Sequence, residues 1–547
     1  MSRQTFAIAA VAAMFLASGW ASSLPGPSLF EAEYEKTFDP AKSGWTCVFA
    51  DDFDGAVVDT NKWYRPHFAP KDQHVEPDGD GHLVFYVEKD ANGVLPNGYL
   101  FSVPEYECGY YEARVRFTKG LGWWAASWIY GGSNQNPFLD GFEIDTFEDF
   151  YTRLKDGHYL KDRIAHSMHS KIGDFTTSFQ LHTAVQEPID GWHTIACKWD
   201  PLSVAFYLDG RLTGSYSAFN TAACIRPLHA ILSAERRRDD VWMGGHAKSG
   251  EEEGRYEVDW VRIWRDESAE REAPLVEWSS KTDRNRVFVS PGSVEFLGVE
   301  TTSRDDDPVD QIYLFDNGYM IDYSIQLPCA FKVPMTAEHF ASTSYGRFRG
   351  TRGIRSPEFD GYPHVFVAFA RTKSGRVGHS APIYRIPVGQ KPASAPYEGV
   401  PAAIPGDIAG WRFDGGGQNR GYYRLLKKVY MQKKNCPRPE EQVDCSKSQV
   451  GVTYAGEWVN YTVDIAKSGM YVATFRYGTP IRSANEAILL VDGVCAGAFQ
   501  LSTEAAGWSP TLVSKIEVKL PAGRHVITLL LRSSLMYGGI AFEAKGS

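Results

Sequence analysis

Between Asp140 and Phe150 the chain reads D-G-F-E-I-D-T-F-E-D-F, which packs Glu143, Asp145 and Glu148 into six residues. Paired carboxyl groups of this kind can cleave a glycosidic bond. One attacks the sugar as a nucleophile, and the other, initially protonated, gives its proton to the leaving oxygen. A third carboxyl between them can hold the nucleophile by a hydrogen bond, and nearby negative charge helps keep the acid protonated. The retaining reaction needs its two carboxyls about 5–5.5 Å apart. Four strand residues separate Cα atoms by roughly 13 Å, a gap that two Glu side chains leaning together over a concave face can close. Retention is therefore favoured over inversion. A solvated acidic edge strand or a calcium site is the other reading of the same six residues.

The residues between the acids say what positions them. Phe142, Ile144, Thr146 and Phe147 are aromatic or β-branched and alternate with the carboxyls, which argues for a strand. Side chains on a strand alternate faces, so Glu143 and Asp145 point the same way and Glu148 the other. One extra residue in a β-bulge before Glu148 would turn all three to one face.

The rest of the chain bounds the setting. Its 547 residues suffice for three or four domains, and 43% hydrophobic with 14% aromatic residues can fill real cores. The 15 Trp and 28 Tyr suit either β cores or sugar-stacking surfaces. A net charge of -10 argues against nucleic acid as a partner. Arg3, the apolar run from Thr5 to Leu16 and Gly19-Trp20-Ala21 read as a secretory signal over residues 1–21, with a retained anchor as the alternative. No later run reaches the roughly 18 apolar residues of a membrane helix. The expectation is a monomer that is secreted or otherwise extracellular, periplasmic or at the cell surface. Export permits disulfides, and Cys436 and Cys445 are the candidate pair. Cys47, Cys108, Cys197, Cys224, Cys329 and Cys495 lack metal-type spacing and are expected mostly as buried thiols.

Short alternating strands broken by Gly, Asp, Asn and Pro recur throughout, and no helical period is sustained, so the fold class is all-β. Residues 28–266 form a first β-sandwich, and the charged stretch Asp266 to Pro274 reads as a linker. Residues 274–389 match the length of an immunoglobulin-like sandwich and hold no clustered acid, base or metal set, which suits a spacer. A proline-rich connector spans 390–403, and a third strand-and-turn module spans 404–545.

The first sandwich resembles glycoside hydrolase family 16. The resemblance is carried by Phe49-Ala50-Asp51-Asp52-Phe53-Asp54-Gly55, Lys62-Trp63, Gly109-Tyr110-Tyr111-Glu112-Ala113-Arg114 and Gly122-Trp123-Trp124-Ala125-Ala126-Ser127-Trp128. After the acidic strand come Gly191-Trp192-His193-Thr194, Trp199-Asp200-Pro201, Phe206-Tyr207-Leu208-Asp209-Gly210 and Val258-Asp259-Trp260-Val261-Arg262. The family implies a jelly roll with a concave cleft and retaining hydrolysis of internal β-linkages, with no cofactor in catalysis. It also implies roles: Glu143 as nucleophile, Asp145 as its assisting carboxylate, Glu148 as acid/base. The bulged spacing resembles the branch of laminarinases, agarases and carrageenases. Trp124 and Trp128 share a face and become candidate sugar platforms, with core packing as the alternative. His166 and His169 have odd spacing, so only one can line the cleft, and His169 is the choice. Glu235 and Trp242 are further cleft candidates. Asp52 and Asp259, with Asp51, match positions where members bind a structural Ca²⁺ on the outer face.

Substrate is less defined. Laminarinase-like members usually carry Trp-Pro and then Gly-Glu before the acidic strand, where this chain has Asn136-Pro137-Phe138-Leu139-Asp140-Gly141-Phe142. A β-1,3-glucan such as laminarin and red-algal galactans (agar, porphyran, carrageenan) both stay open. Arg236-Arg237-Arg238 could meet sulfate esters or be a solvated loop.

The last module resembles carbohydrate-binding module family 6 through Ile404-Pro405-Gly406, Phe413-Asp414-Gly415-Gly416, Tyr422-Tyr423-Arg424, Val450-Gly451, Gly456-Glu457-Trp458 and Leu520-Pro521-Ala522-Gly523. Trp508 stands where that family often stacks a Trp on sugar. Departures are Ala409-Gly410-Trp411 in place of the usual acids, Val452 in place of an aromatic, and Gly538-Gly539 near the usual Asn. The competing function is a lectin-like polysaccharide-binding protein on the same sandwich, or a structural cell-surface protein. Binding alone has no need of paired acids.

Overall fold

A computed structural model describes residues 35–546 except 71–73, 88–96, 118–122, 133–135, 150–151, 154–158, 161–162, 173–174, 186–190, 219–221, 237–253, 343–358, 389–393, 426–435, 483–484, 503 and 505–506. The secretory-signal residues 1–21, Trp242 and Arg237-Arg238 lie outside the described residues, and Arg236 is described in its backbone only. No helix among the described residues is long and apolar enough to cross a membrane.

The chain is nearly all β, as its alternating pattern predicts. A seven-stranded antiparallel sheet carries the acids, in the order Phe175–Ala184, Arg163–Ile172, Glu143–Asp149, Trp123–Tyr130, Leu228–Arg236, Gly98–Tyr106, Trp63–Tyr64. An eight-stranded sheet packs behind it, and Phe147 of the acidic strand meets Tyr256 of that second sheet with ring centroids 6.1 Å apart. Apolar side chains from every second position fill the space between, among them Ile144, Phe147, Val258 and Ile263, all fully buried. Asp51 latches the two sheets. Its carboxylate accepts from Trp63 Nε1 at 2.7 Å and from Lys62 Nζ at 3.1 Å, which explains the spacing of Asp51 and Lys62-Trp63.

Hairpin turns follow local chemistry. Asp209 and Gly210 have φ of 49° and 71°, and Asp492 and Gly493 have 50° and 79°, the paired left-handed conformations of two-residue hairpins. Between Asp266 and Pro274, where composition predicts a plain linker, a short helix forms over Glu267–Glu272. Asp266 caps it by accepting from the backbone N–H of Ser268 and Ala269, and Arg376 then pairs with Asp266 at 3.0 Å.

Two further pairs of sheets follow. The middle pair has three and six strands and buries Arg385 against Glu295, Nε to Oε2 2.7 Å. The last pair has six and four strands around one apolar core that includes Phe413, Phe475, Phe499 and Leu529. The described part of the connector is tied down, with Ser394 Oγ donating to Asp414 and Ala395 bridging Gly415.

The three pairs of sheets interlock. Asn136 Nδ2 donates to the Tyr362 hydroxyl at 2.6 Å, and Arg532 Nη2 donates to the Phe138 carbonyl at 2.9 Å. Trp458 Nε1 donates to the Gly361 carbonyl at 2.7 Å. The segment 136–142, which departs from the laminarinase-like pattern, is therefore the plug that the middle and last sandwiches grip. Asn136, Phe138, Leu139 and Asp140 are all buried.

The thiols differ from expectation. Cys197 and Cys224 are buried, but Cys108 and Cys329 are half-buried, and Cys47 and Cys495 are exposed at strand surfaces. Cys436 and Cys445 do meet, with Sγ atoms 2.7 Å apart.

Candidate active site

Register fixes which side chains share a face. Tyr130 lies opposite Glu143, Trp128 opposite Asp145 and Ala126 opposite Glu148. Ser127 pairs with Phe147, so two residues of the acidic strand, Thr146 and Phe147, span one step of its neighbour. On the other side Ser167 pairs with Asp145 and Ala165 with Glu148, with the same shift. This is the bulge that the spacing predicts. It brings all three acids to the face that carries Tyr130, Trp128 and Ala126.

Neighbouring strands hold Glu148 and Asp145. Glu148 accepts from Ser167 Oγ at 2.7 Å and from Trp124 Nε1 at 3.1 Å. Gln180 Nε2 in turn donates to Ser167 Oγ at 3.2 Å. His169 Nε2 lies 3.1 Å from Asp145 Oδ2, and its Nδ1 is 2.8 Å from Ser178 Oγ. Glu143, Asp145 and His169 each bring one polar atom to within 4.8 Å of the others. Trp128 Nε1 donates to Ser233 Oγ at 3.1 Å, which sets the ring against the face. The two histidines separate as their odd spacing requires. His166 is buried on the core side, 2.6 Å from the Thr146 carbonyl and stacked on Phe206.

Glu235 pairs with Trp124 across the sheet and is buried on the same face as the acids. Trp508 lies against His67, ring centroids 6.0 Å apart, beside the Trp63–Tyr64 edge of the acid-bearing sheet. Asp52 and Asp259 are engaged otherwise than expected. Asp52 pairs with Arg262 and Asp259 with Arg114, so guanidinium groups supply the positive charge that a cation would bring. In this arrangement the donor set does not fit a calcium ion. Tyr130, Ser167, Gln180 and Ser178 escape sequence reasoning. Their alternation with core residues was the available signal, but it needs the partner strand's register to become useful.

Burial and the adjacent Asp145 push the Glu143 carboxyl well above its usual range, while His169 pulls it down. Burial raises Asp145 to about 8. Burial and then Asp145 raise Glu148 to about 8, against the pull of Ser167, His169 and Trp124. Three carboxyls on one dry face cannot all ionise, so the site keeps a proton in reserve at neutral pH. A protonated Glu148 is the form a general acid needs.

This carries a prediction. The folded chain holds the Glu148 proton up to about pH 8, whereas the unfolded chain releases it near 4.5. Between those values the native state binds more protons, so this group's contribution to stability falls as pH rises. Glu148→Gln should flatten that slope, gaining melting temperature relative to the wild type at pH 8 but not at pH 4. In the wild type kcat/KM should decline above about pH 8 as the acid is lost. Melting curves and a pH–rate profile check both.

The family model for glycosyl hydrolases family 16 matches residues 62–262. Residues 62–262 are a family 16 glycosyl hydrolase domain. All three acids fall inside the match, as does the whole seven-stranded sheet that carries them. The chain is also similar to solved structures. One is the catalytic domain of an endo-1,3-beta-glucanase (laminarinase) from Thermotoga petrophila, 20% identical, covering 41% of this chain and 98% of that one, with a TM-score of 0.33. Another is LamAcat from Zobellia galactanivorans, 19% identical, covering 40% and 98%, with a TM-score of 0.33. A third is the endo-beta-1,3-glucanase from Pyrococcus furiosus, 19% identical, covering 40% and 94%, with a TM-score of 0.33. No curated protein matches the chain.

Proposed function

We propose that the chain is an exported, monomeric, endo-acting glycoside hydrolase of the bulged family 16 branch that cleaves internal β-linkages with retention. The bulge at Thr146 is the observation that carries this reading, because it places Glu143, Asp145 and Glu148 on one face. Glu143 attacks the anomeric carbon and forms a covalent glycosyl-enzyme. Glu148 protonates the departing oxygen and then, ionised, takes a proton from the water that releases the sugar. Asp145 orients Glu143, and His169 balances their combined charge. Trp124 and Trp128 present rings to the sugar chain on the same face. The substrate is a β-1,3-glucan or a red-algal galactan, and the C-terminal sandwich binds carbohydrate.

A panel of laminarin, mixed-linkage glucan, agarose, porphyran and carrageenans tests this. Release of reducing ends from one of them is expected, with the new anomeric centre first seen by NMR in the β form. Release with inverted configuration would overturn the mechanism. No release from any of them would favour the non-catalytic, polysaccharide-binding reading.

A further inference from the structure

The face that carries the acids does not stop at the edge of its sheet. Asp145 lies opposite Trp128, Trp128 opposite Ile231, Ile231 opposite Phe101, and Phe101 opposite Tyr64. Directly paired residues share a face, so the run from Asp145 to Tyr64 is one surface. Four strand spacings separate its ends, roughly 19 Å, room for several sugar rings. Its middle is covered: Ile231 and Phe101 are buried, and the exposed Phe68 packs on Phe101 at 6.0 Å, ring centre to ring centre, so the outer rings are Trp128, Phe68 and Tyr64. Phe101 lies 6.1 Å from Trp128 and 5.6 Å from Tyr64 and ties them together.

At the far end the C-terminal sandwich takes over. The Arg482 guanidinium lies 4.7 Å over the Tyr64 ring, and the Arg482 carbonyl is hydrogen-bonded to His229 Nε2. His229 is itself anchored to the Ser102 carbonyl at 2.8 Å, so Arg482 is fixed to the floor of the groove. Among the described residues no hydrogen bond or ion pair holds the guanidinium itself, which leaves its N–H donors for a ligand. Trp508, half-buried, stands edge-on to His67 beside Phe68.

We propose that the substrate groove crosses the domain boundary, and that Trp508 and Arg482 form a distal subsite for the same polysaccharide chain that the acids cleave. Trp508 offers its ring to the C–H face of a sugar. Arg482 donates to oxygens of the chain's substituents where it passes Tyr64, hydroxyl groups or sulfate esters. This rests on the hydrolase reading, and it makes the last sandwich part of the groove instead of a separate carbohydrate-binding unit.

The test is chain-length dependence in the full-length protein. With oligosaccharides of increasing length from whichever polymer the panel identifies, the wild type should prefer long chains, read as a ratio of kcat/KM. Trp508→Ala and Arg482→Gln should each cut that ratio about tenfold through KM, with kcat on long chains retained. Trp508→Phe, which keeps a ring, should restore most of the preference. Parallel neutral and sulfated chains tell which oxygens Arg482 meets. A ratio unchanged in both variants, or a loss as large for short chains as for long, would overturn the proposal. If the wild type cuts nothing, the hydrolase reading fails separately. The subsite is then read from retardation of the Glu143→Gln chain in gels containing each polymer, where loss of retardation with Trp508→Ala supports it and unchanged retardation overturns it.

Discussion

Glu143→Gln is expected to lower kcat by at least about 10⁴-fold, the scale lost when the nucleophile is removed from a set of groups acting together. The amide keeps the shape of the side chain beside Asp145 and His169 but cannot form the glycosyl-enzyme. Glu148→Gln should also cripple polymer cleavage, and the two losses separate by leaving group. An activated aryl glycoside of the product oligosaccharide departs without a proton, so Glu148→Gln should recover much of its first step on that substrate. Glu143→Gln should recover none. The contrast is read from the burst of released phenol. Equal behaviour of the two variants would show that the roles are misassigned.

The second large effect is expected at Gly141. Its backbone crosses that of Gly131 so closely that a Cβ built at Gly141 would lie 1.8 Å from the Gly131 carbonyl oxygen. Gly132 is as constrained, with a built Cβ 2.5 Å from the Asp140 carbonyl. The crossing joins the end of Trp123–Tyr130 to the start of the acidic strand, and Gly131 N donates to the Phe142 carbonyl at 3.1 Å. Backbone atoms on both sides have nowhere to move. Gly141→Ala should cost about 3 kcal/mol or more, lowering Tm by roughly 6–12 °C. It should also displace Glu143, two residues on, and a shift of about 1 Å there would lower kcat about 100-fold in the protein that still folds. Differential scanning calorimetry and single-turnover rates measure the two losses independently.

What could be read in advance follows the range of the interaction. The acidic strand, its bulge and the opposed faces of His166 and His169 depend on period-two alternation and neighbouring residue types, which are local. The Asp209-Gly210 and Asp492-Gly493 turns are equally local, since both residues must adopt positive φ. The partners of the acids are not. Ser167 meets Glu148 only because Arg163–Ile172 pairs in one register, and a lone Ser in a strand carries no signal of it. The partners of the outer-face acids are hidden for the same reason, because Arg262 and Arg114 reach Asp52 and Asp259 from other strands. The helix at Glu267–Glu272 is too short for a periodic pattern, though Asp266 followed by Ser268 was a capping signal. The departure at Asn136 to Phe142 had no local meaning at all. It makes sense only beside Tyr362 and Arg532, which lie in other sandwiches.

That grip sets an order in time. Phe138 and Arg532 are 394 residues apart, and ribosomes add about 5–20 residues each second. The loop leading into the acidic strand therefore waits roughly 20–80 s after its own synthesis for its last hydrogen-bond donor. Until the final strands emerge, the nascent chain holds a nearly finished hydrolase domain whose entry loop has its Tyr362 partner but lacks the Arg532 clasp. Maturation of the cleaving end thus depends on completion of the far end, and a message truncated before Arg532 would yield a domain with its acids in sequence but its entry loop without that clasp.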